Sequence, residues 1–247
     1  MLKNIKQKPT LSYITIVFVP IIGLAVGVGL SFASGLNGQP AGNLITNAVF
    51  LMAVLALISI FNFSPQEMGL KLNSSKIGFH IISTLGIFIS YMLFYIFVIR
   101  ISNLKPIDTP MIVSLLTYLI VVVAEEIYFR GQLYSFIEKR FSATTALVIS
   151  ALVFGIFHTR QGLSGVITKT ITGGLWGSVR YTTGMVYLLI FPVHFAFNAA
   201  WLLFEGRWNI LPDWAMFAVS AGELLLTVLI LLANPDRKSS AKQMKLL

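Results

Sequence analysis

The sequence predicts an all-α, polytopic integral membrane protein with about eight transmembrane helices. Three observations carry this class. Of 247 residues, 56% are apolar and 11% are charged, whereas a typical soluble domain carries ~25% charged residues. The apolar residues gather into runs near the ~20 that a helix needs to cross a bilayer. The basic residues alternate from one connection to the next, as in a chain that threads a membrane repeatedly.

In order, the segments fall at roughly 11–34, 43–63, 78–100, 110–128, 143–159, 164–180, 183–204 and 214–233, by the length rule for a span. The first is long enough to stay as a span, and no small-residue cleavage site marks it as a removable signal. The second closes at Ser64-Pro65. The third opens with His80, read as an ordinary interfacial histidine. The fourth is followed by GQLYSFIEKRF, which mixes apolar and polar residues at helical spacing. The fourth helix is therefore expected to continue towards Glu138, with an amphipathic end at the interface. Small residues in Thr168–Gly174 suit close contact between the sixth helix and a neighbour. Asn234-Pro235 ends the eighth, and a basic tail follows. One membrane-embedded domain over 1–247 is expected, with a motif core at about 110–204.

Lys3, Lys6, Lys8, Lys71, Lys76, Lys139, Arg140, Arg180, Arg237, Lys238, Lys242 and Lys245 fall on one side of this arrangement, against Arg100, Lys105, Arg160 and Arg207 on the other. The positive-inside rule then places both termini in the cytoplasm and the chain in the cytoplasmic membrane. The net charge of +9 reads as a topology signal, with anionic lipid headgroups as its natural partners. No basic patch with interleaved aromatics forms a soluble module, which excludes nucleic acid as a partner. The absence of cysteine excludes disulfides, a thiolate nucleophile and a cysteine-ligated metal.

Polar chemistry inside the spans is costly and marks candidate sites. Glu125 and Glu126 are adjacent in VVVAEEIYFR, and Arg130 lies four residues beyond Glu126, on the same helical face. Glu125 points ~100° away from Glu126, so the two carboxylates have different work. Glu126 with Arg130 alone reads equally well as a structural ion pair. One arginine cannot neutralise two buried carboxylates, however, and a carboxylate short of compensation suits a general acid or base. His158 ends FGIFH in the fifth span; His194 and Asn198 lie one turn apart in HFAFN of the seventh. Each alone reads as packing glue between helices. Two of only three histidines in the spans that flank the carboxylate pair point instead to a polar site at the bundle centre.

Such a site can hydrolyse an amide. A glutamate takes a proton from water, a histidine orients the water or protonates the leaving amine, and histidine and asparagine donors stabilise the oxyanion. Glu125, His158 and His194 also form a two-histidine, one-carboxylate set of the kind that holds zinc. Metal-free and zinc-assisted activation are both compatible with these residues. Neither HExxH nor Gly-x-Ser-x-Gly occurs. One mismatch stands out: counted at ~1.5 Å per residue, His158 and Glu125 fall at different depths; a long, tilted fourth helix reaching Glu138 brings Glu125 to mid-membrane beside His194 and still leaves His158 somewhat higher. Lys169 is read as snorkelling or lining the cavity, and Glu223 as pairing with another polar group.

EEIYFR, FGIFH and HFAFN resemble, in order, the EExxxR, FxxxH and HxxxN motifs of the CPBP family. These are the CAAX-protease and bacteriocin-processing intramembrane proteases, also called the Abi family and related to the type II CAAX prenyl endopeptidases. The resemblance implies an intramembrane endopeptidase that acts on a peptide or a lipidated, membrane-anchored protein tail. It implies water activation by Glu125 with help from His158, oxyanion stabilisation by His194 and Asn198, and support from Glu126 and Arg130. It also implies links to peptide processing or bacteriocin immunity. Two other readings compete: a non-catalytic immunity or scaffold protein, and an ion or proton-coupled transporter. The latter would use a continuous polar path and an inverted repeat, and neither is visible in the sequence.

Overall fold

The computed structural model describes residues 9–206 and 213–234. Lys3, Lys6, Lys8, Arg207, Arg237, Lys238, Lys242 and Lys245, on which half of the charge asymmetry rests, lie outside the described residues. The described chain folds into helices α1 (Pro9–Ala33), α2 (Pro40–Phe61), α3 (Ile77–Ile99), α4 (Thr109–Glu138), α5 (Ala143–Ile156), α6 (Gly162–Thr183), α7 (189–203) and α8 (Asp213–Ala233). Beyond these, one isolated bridge joins Leu104 to Phe204.

The order of helices matches the sequence expectation, and among the described residues five to six crossings meet the length and apolarity of a span. Five helices, α1, α2, α3, α4 and α8, are long and apolar enough to cross a membrane. α5 and α6 are bent by 59° at a short break and amount to one further span at most. α7 spans ~22 Å at 1.5 Å per residue, less than the ~30 Å of a hydrocarbon core. The composition pattern counts apolar runs and cannot see that two of them fold back on each other. The bend falls at Phe157 and His158; Gly162 closes the short turn that follows, with φ 75° and ψ −173°, a region essentially closed to residues with a Cβ.

Local signals set the helix ends. Asp108 caps α4 by accepting from the Met111 amide at 2.8 Å, and Ser142 caps α5 by accepting from the Thr145 amide at 3.0 Å, each satisfying an amide left orphaned by the first turn. Pro40 sits in the first turn of α2, where the missing N–H costs nothing. Large apolar side chains such as Phe32, Ile82, Phe97 and Phe217 are exposed, as a lipid-facing surface requires.

α4 occupies the middle of the bundle, packed on α2, α5 and α7, while α6 packs on α5 and α8. The expected continuation of α4 to Glu138 is present. Its end does not lie amphipathically at an interface, because every residue from Glu126 to Ile137 is buried. Ser135 donates to the Glu67 carbonyl, and Gln132 donates to the Val54 carbonyl at 2.8 Å, so the polar residues that looked surface-facing bond inward. The small residues of α6 allow the expected close contact: a Cβ on Gly173 would lie 3.1 Å from Ala151 of α5.

Two further residues depart from the expectation. His80 is buried: its Nε2 accepts from the Leu188 amide at 3.3 Å, which leaves Nδ1 as the donor to Thr183 Oγ1 at 3.1 Å. It ties α3 to the start of α7. Arg180 is no free topology charge. It is buried and donates to the carbonyls of Arg130 (3.0 Å), Glu67 (2.6 Å) and Gly184 (2.5 Å). Its planar fork can reach several acceptors at once, and it clamps α4, the loop after α2 and the end of α6 together. Gly69 makes this possible, since its φ of 72° and the Arg180 side chain 3.2 Å from its would-be Cβ leave no room for a side chain.

Candidate active site

α4 changes from an α-helix to a π-helix at Glu126 and keeps that form to Leu133. α7 begins as a π-helix over Leu189–His194 and then becomes α-helical. The two helices therefore present their polar residues at the two points where their winding changes. Single π turns inside α-helices recur at functional sites.

Four of the six residues singled out in the sequence meet there. Glu126 Oε1 accepts from Arg130 Nη1 at 3.1 Å and from His194 Nδ1 at 2.9 Å. His194 Nε2 lies 3.6 Å from Glu125 Oε2. One imidazole thus touches both carboxylates. Glu126 and Arg130 are fully enclosed, whereas 16% of the Glu125 side chain is accessible. The adjacent glutamates differ as their ~100° separation requires: Glu126 anchors, and Glu125 faces open space.

The bond to Glu126 fixes the polarity of His194. A carboxylate that also receives Arg130 is an acceptor, so Nδ1 of the neutral ring carries the proton and Nε2 holds a lone pair towards Glu125. At 3.6 Å the Nε2–Glu125 contact is too long for a direct hydrogen bond, and a water seated beside the two atoms can bond to both. Glu126 Oε2 and Arg130 Nη2 are buried without a protein partner. Aromatic rings wall the cluster. Phe154 lies 4.1 Å from the Arg130 guanidinium and Trp176 lies 5.2 Å from it, while Trp176 and His194 have ring centroids 4.2 Å apart.

The remaining two residues sit further out. His158 lies in the break between α5 and α6, half-buried, with Nδ1 donating to the Phe154 carbonyl at 2.8 Å and its ring against Phe154 at 4.7 Å. Among the described residues it makes no hydrogen bond or ion pair with Glu125. The histidine beside the carboxylates is His194, and the depth mismatch counted from the sequence corresponds to this offset of His158. Asn198 is half-buried one turn beyond His194, with no hydrogen-bond partner among the described residues. The zinc set does not assemble: among the described residues no three His, Asp or Glu side chains are placed to hold an ion.

Sequence reasoning passed over Trp176, Tyr91 and Thr172 and set Lys169 and Glu223 aside. Lys169, Thr172 and Trp176 recur at i, i+3 and i+7 on α6, the spacing of one helical face. Lys169 is half-buried with its ammonium 5.4 Å from the Phe197 ring, and it acts electrostatically on both Glu125 and Glu223.

Comparison with known families bears on the same segment. Residues 107–200 match the family model described as type II CAAX prenyl endopeptidase Rce1-like. This range contains all three motifs, from Glu125 to Asn198, and agrees with the family resemblance read from them. No curated protein and no solved structure gives a significant match to the chain. The matched family is one of proteases, and the helices are those of a multi-pass membrane protein.

Proposed function

We propose that the chain is an intramembrane endopeptidase of the cytoplasmic membrane, both termini cytoplasmic, that hydrolyses the tail of a membrane-anchored or lipidated protein through a glutamate-activated water. The observation that carries this reading is His194, bonded at Nδ1 to the enclosed Glu126 and presenting Nε2 to the accessible Glu125.

The roles follow from that polarity. Water bridges Glu125 and His194 Nε2. Glu125 takes one of its protons, and Nε2 accepts the other in a hydrogen bond that aims the oxygen at the scissile carbonyl. The amide of Asn198 donates to the developing oxyanion. Glu125 then returns its proton to the leaving amine, so the sum is amide plus water giving acid plus amine. Arg130 and Glu126 hold the imidazole, and His158 bounds the site beside Phe154. A positioned general base contributes ~10²–10⁴ in rate, and one oxyanion donor ~10²–10³.

The test is cleavage by the protein in liposomes of C-terminal tail peptides, with and without a lipid anchor, followed by mass spectrometry. Wild type and a control altered on the lipid face, Ile82→Leu, are expected to cleave at one bond. Glu125→Gln is expected to lose at least ~10²-fold in rate while keeping its helical content. Cleavage that persists in Glu125→Gln would remove Glu125 from the chemistry.

A further inference from the structure

Beyond its first residue, Asp213, the last helix carries one charged residue, Glu223, and it is buried. Nothing in the proposed chemistry uses it. Its surroundings nevertheless lead back to the site in three steps. Tyr91 of α3 donates its hydroxyl proton to Glu223 Oε1 at 2.7 Å. The indole Nε1 of Trp176 donates to the Tyr91 hydroxyl at 3.1 Å. The Trp176 ring then lies against His194, with centroids 4.2 Å apart, and 5.2 Å from the Arg130 guanidinium.

The direction of this chain is fixed by proton count. An indole N–H can only donate, and a phenol has one proton. Since Trp176 gives to Tyr91, the Tyr91 proton is free to go to Glu223, and only an acceptor at Glu223 holds the phenol in that orientation. Thr172 Oγ1, 3.0 Å from both oxygens of Glu223, fixes the carboxyl group from α6. Each aromatic side chain is thus held at its polar end while its ring fills the bundle. An unpaired polar group at either point would be left buried without its hydrogen bond, which drives rearrangement.

From this geometry we infer that Glu223 is a positioning residue for His194, acting through Tyr91 and Trp176. The inference rests on the endopeptidase reading for its kinetic consequence, but not for its structural one. Glu223 sets the rotamer of Tyr91, Tyr91 sets the tilt of the Trp176 indole, and the indole is one wall of the slot in which the imidazole faces Glu125. The α8 helix, which carries none of the three motifs, thereby takes part in aligning the base and its water.

The experiment compares Glu223→Leu, Glu223→Gln, Tyr91→Phe and the double variant Glu223→Leu/Tyr91→Phe with wild type. Two readouts need no turnover: the Trp176 indole N–H resonance and the His194 imidazole resonances, in selectively labelled protein in micelles. The third is the kcat and KM of tail cleavage. Glu223→Leu and Tyr91→Phe are expected to shift both sets of resonances and to lower kcat about tenfold to hundredfold, the cost of misplacing a reacting group by a fraction of a bond length to ~1 Å. KM should stay within about twofold. Glu223→Gln, which keeps a carbonyl acceptor, should restore both. The double variant should be no worse than either single one, because both break the same chain. Unmoved His194 resonances in Glu223→Leu, additive effects in the double variant, or an equal loss in Glu223→Gln would each overturn the inference. Should Glu223→Leu not fold, Tyr91→Phe against Glu223→Gln decides it. A wild type that cleaves no tail would refute the endopeptidase reading, while the resonances would still decide the coupling.

Discussion

Removing the Glu126 carboxylate should unfold the site before it silences it. In Glu126→Leu the Arg130 guanidinium, 1% exposed, loses the only carboxylate within ion-pair distance among the described residues. Breaking a buried ion pair by deleting one partner costs ~3–5 kcal/mol, because the surviving charge stays desolvated. The Phe154 face stays 4.1 Å from the guanidinium in both proteins, so it cancels from the difference. Glu125, held near the same cluster by its contact with His194, leaves Arg130 a second carboxyl group nearby, so the expected loss is ~3 kcal/mol, at the lower end of that range. The double variant Glu126→Leu/Arg130→Met removes both charges and should recover most of the stability, since buried pairs replaced by apolar residues are often neutral. It should not recover activity, because His194 Nδ1 has lost its acceptor. The assay is unfolding in mixed detergent micelles at increasing SDS fraction, read by circular dichroism, beside tail cleavage. A double variant as unstable as the single one would refute the argument that the uncompensated charge is the cause. A double variant with full activity would refute the role given to Glu126 in holding the imidazole.

Arg180→Met should lower the unfolding midpoint by an amount equivalent to at least ~3 kcal/mol, given three charged hydrogen bonds worth ~1.5–3 kcal/mol each and imperfectly additive. Arg180→Lys should rescue little, because a single ammonium cannot reach three carbonyls on three elements. A separate prediction concerns pH in the loop after α2. The Lys139 ammonium, 2.6 Å from Glu67, holds the Glu67 carboxyl below its ordinary value, with help from the Ser64 amide. A carboxyl lowered on folding stabilises above its unfolded value and loses that contribution as pH falls through its folded value. Protection of the Met68–Leu70 amides from hydrogen exchange should therefore weaken on acidification, and Glu67→Gln should abolish the dependence. Both side chains are partly exposed, so the effect is at most ~1 kcal/mol; unchanged acid-dependent exchange in Glu67→Gln would refute it.

Much of this was legible in the chain because helical spacing carries it. Glu126 and Arg130 four apart, and the continuation of α4 through a mixed segment, follow from local pattern and hold in the structure. The residues that local pattern misplaced depend on what lies across from them. Arg180 looked like one basic residue among many until carbonyls from two other segments closed round it. His80 looked interfacial because nothing in its own helix reveals the Leu188 amide. His158 was grouped with Glu125 by chemistry; it sits in the break between α5 and α6, and the histidine 3.6 Å from Glu125 is His194 of α7. Glu223 and Tyr91 are separated by more than a hundred positions, and no periodicity relates them. Apolar runs gave the class and the order of helices, but not the 59° bend between α5 and α6.

The π-helical stretch from Glu126 to Leu133 also bears on how chains of this kind are compared. Such a stretch holds one residue more than an α-helix would need to cover the same rise. A chain lacking that residue would still form an unbroken helix, yet everything after it would be turned by ~100°. Ser135 would no longer meet the loop after α2, and the Arg130 carbonyl would leave Arg180. An alignment that opens a one-position gap here would mark it as a loop, where insertions are normally harmless. In this protein the gap would fall inside a buried helix, between the two halves whose relative phase the site depends on. A single deletion within 126–133 is thus a larger change than most substitutions, though it leaves composition and hydropathy almost untouched.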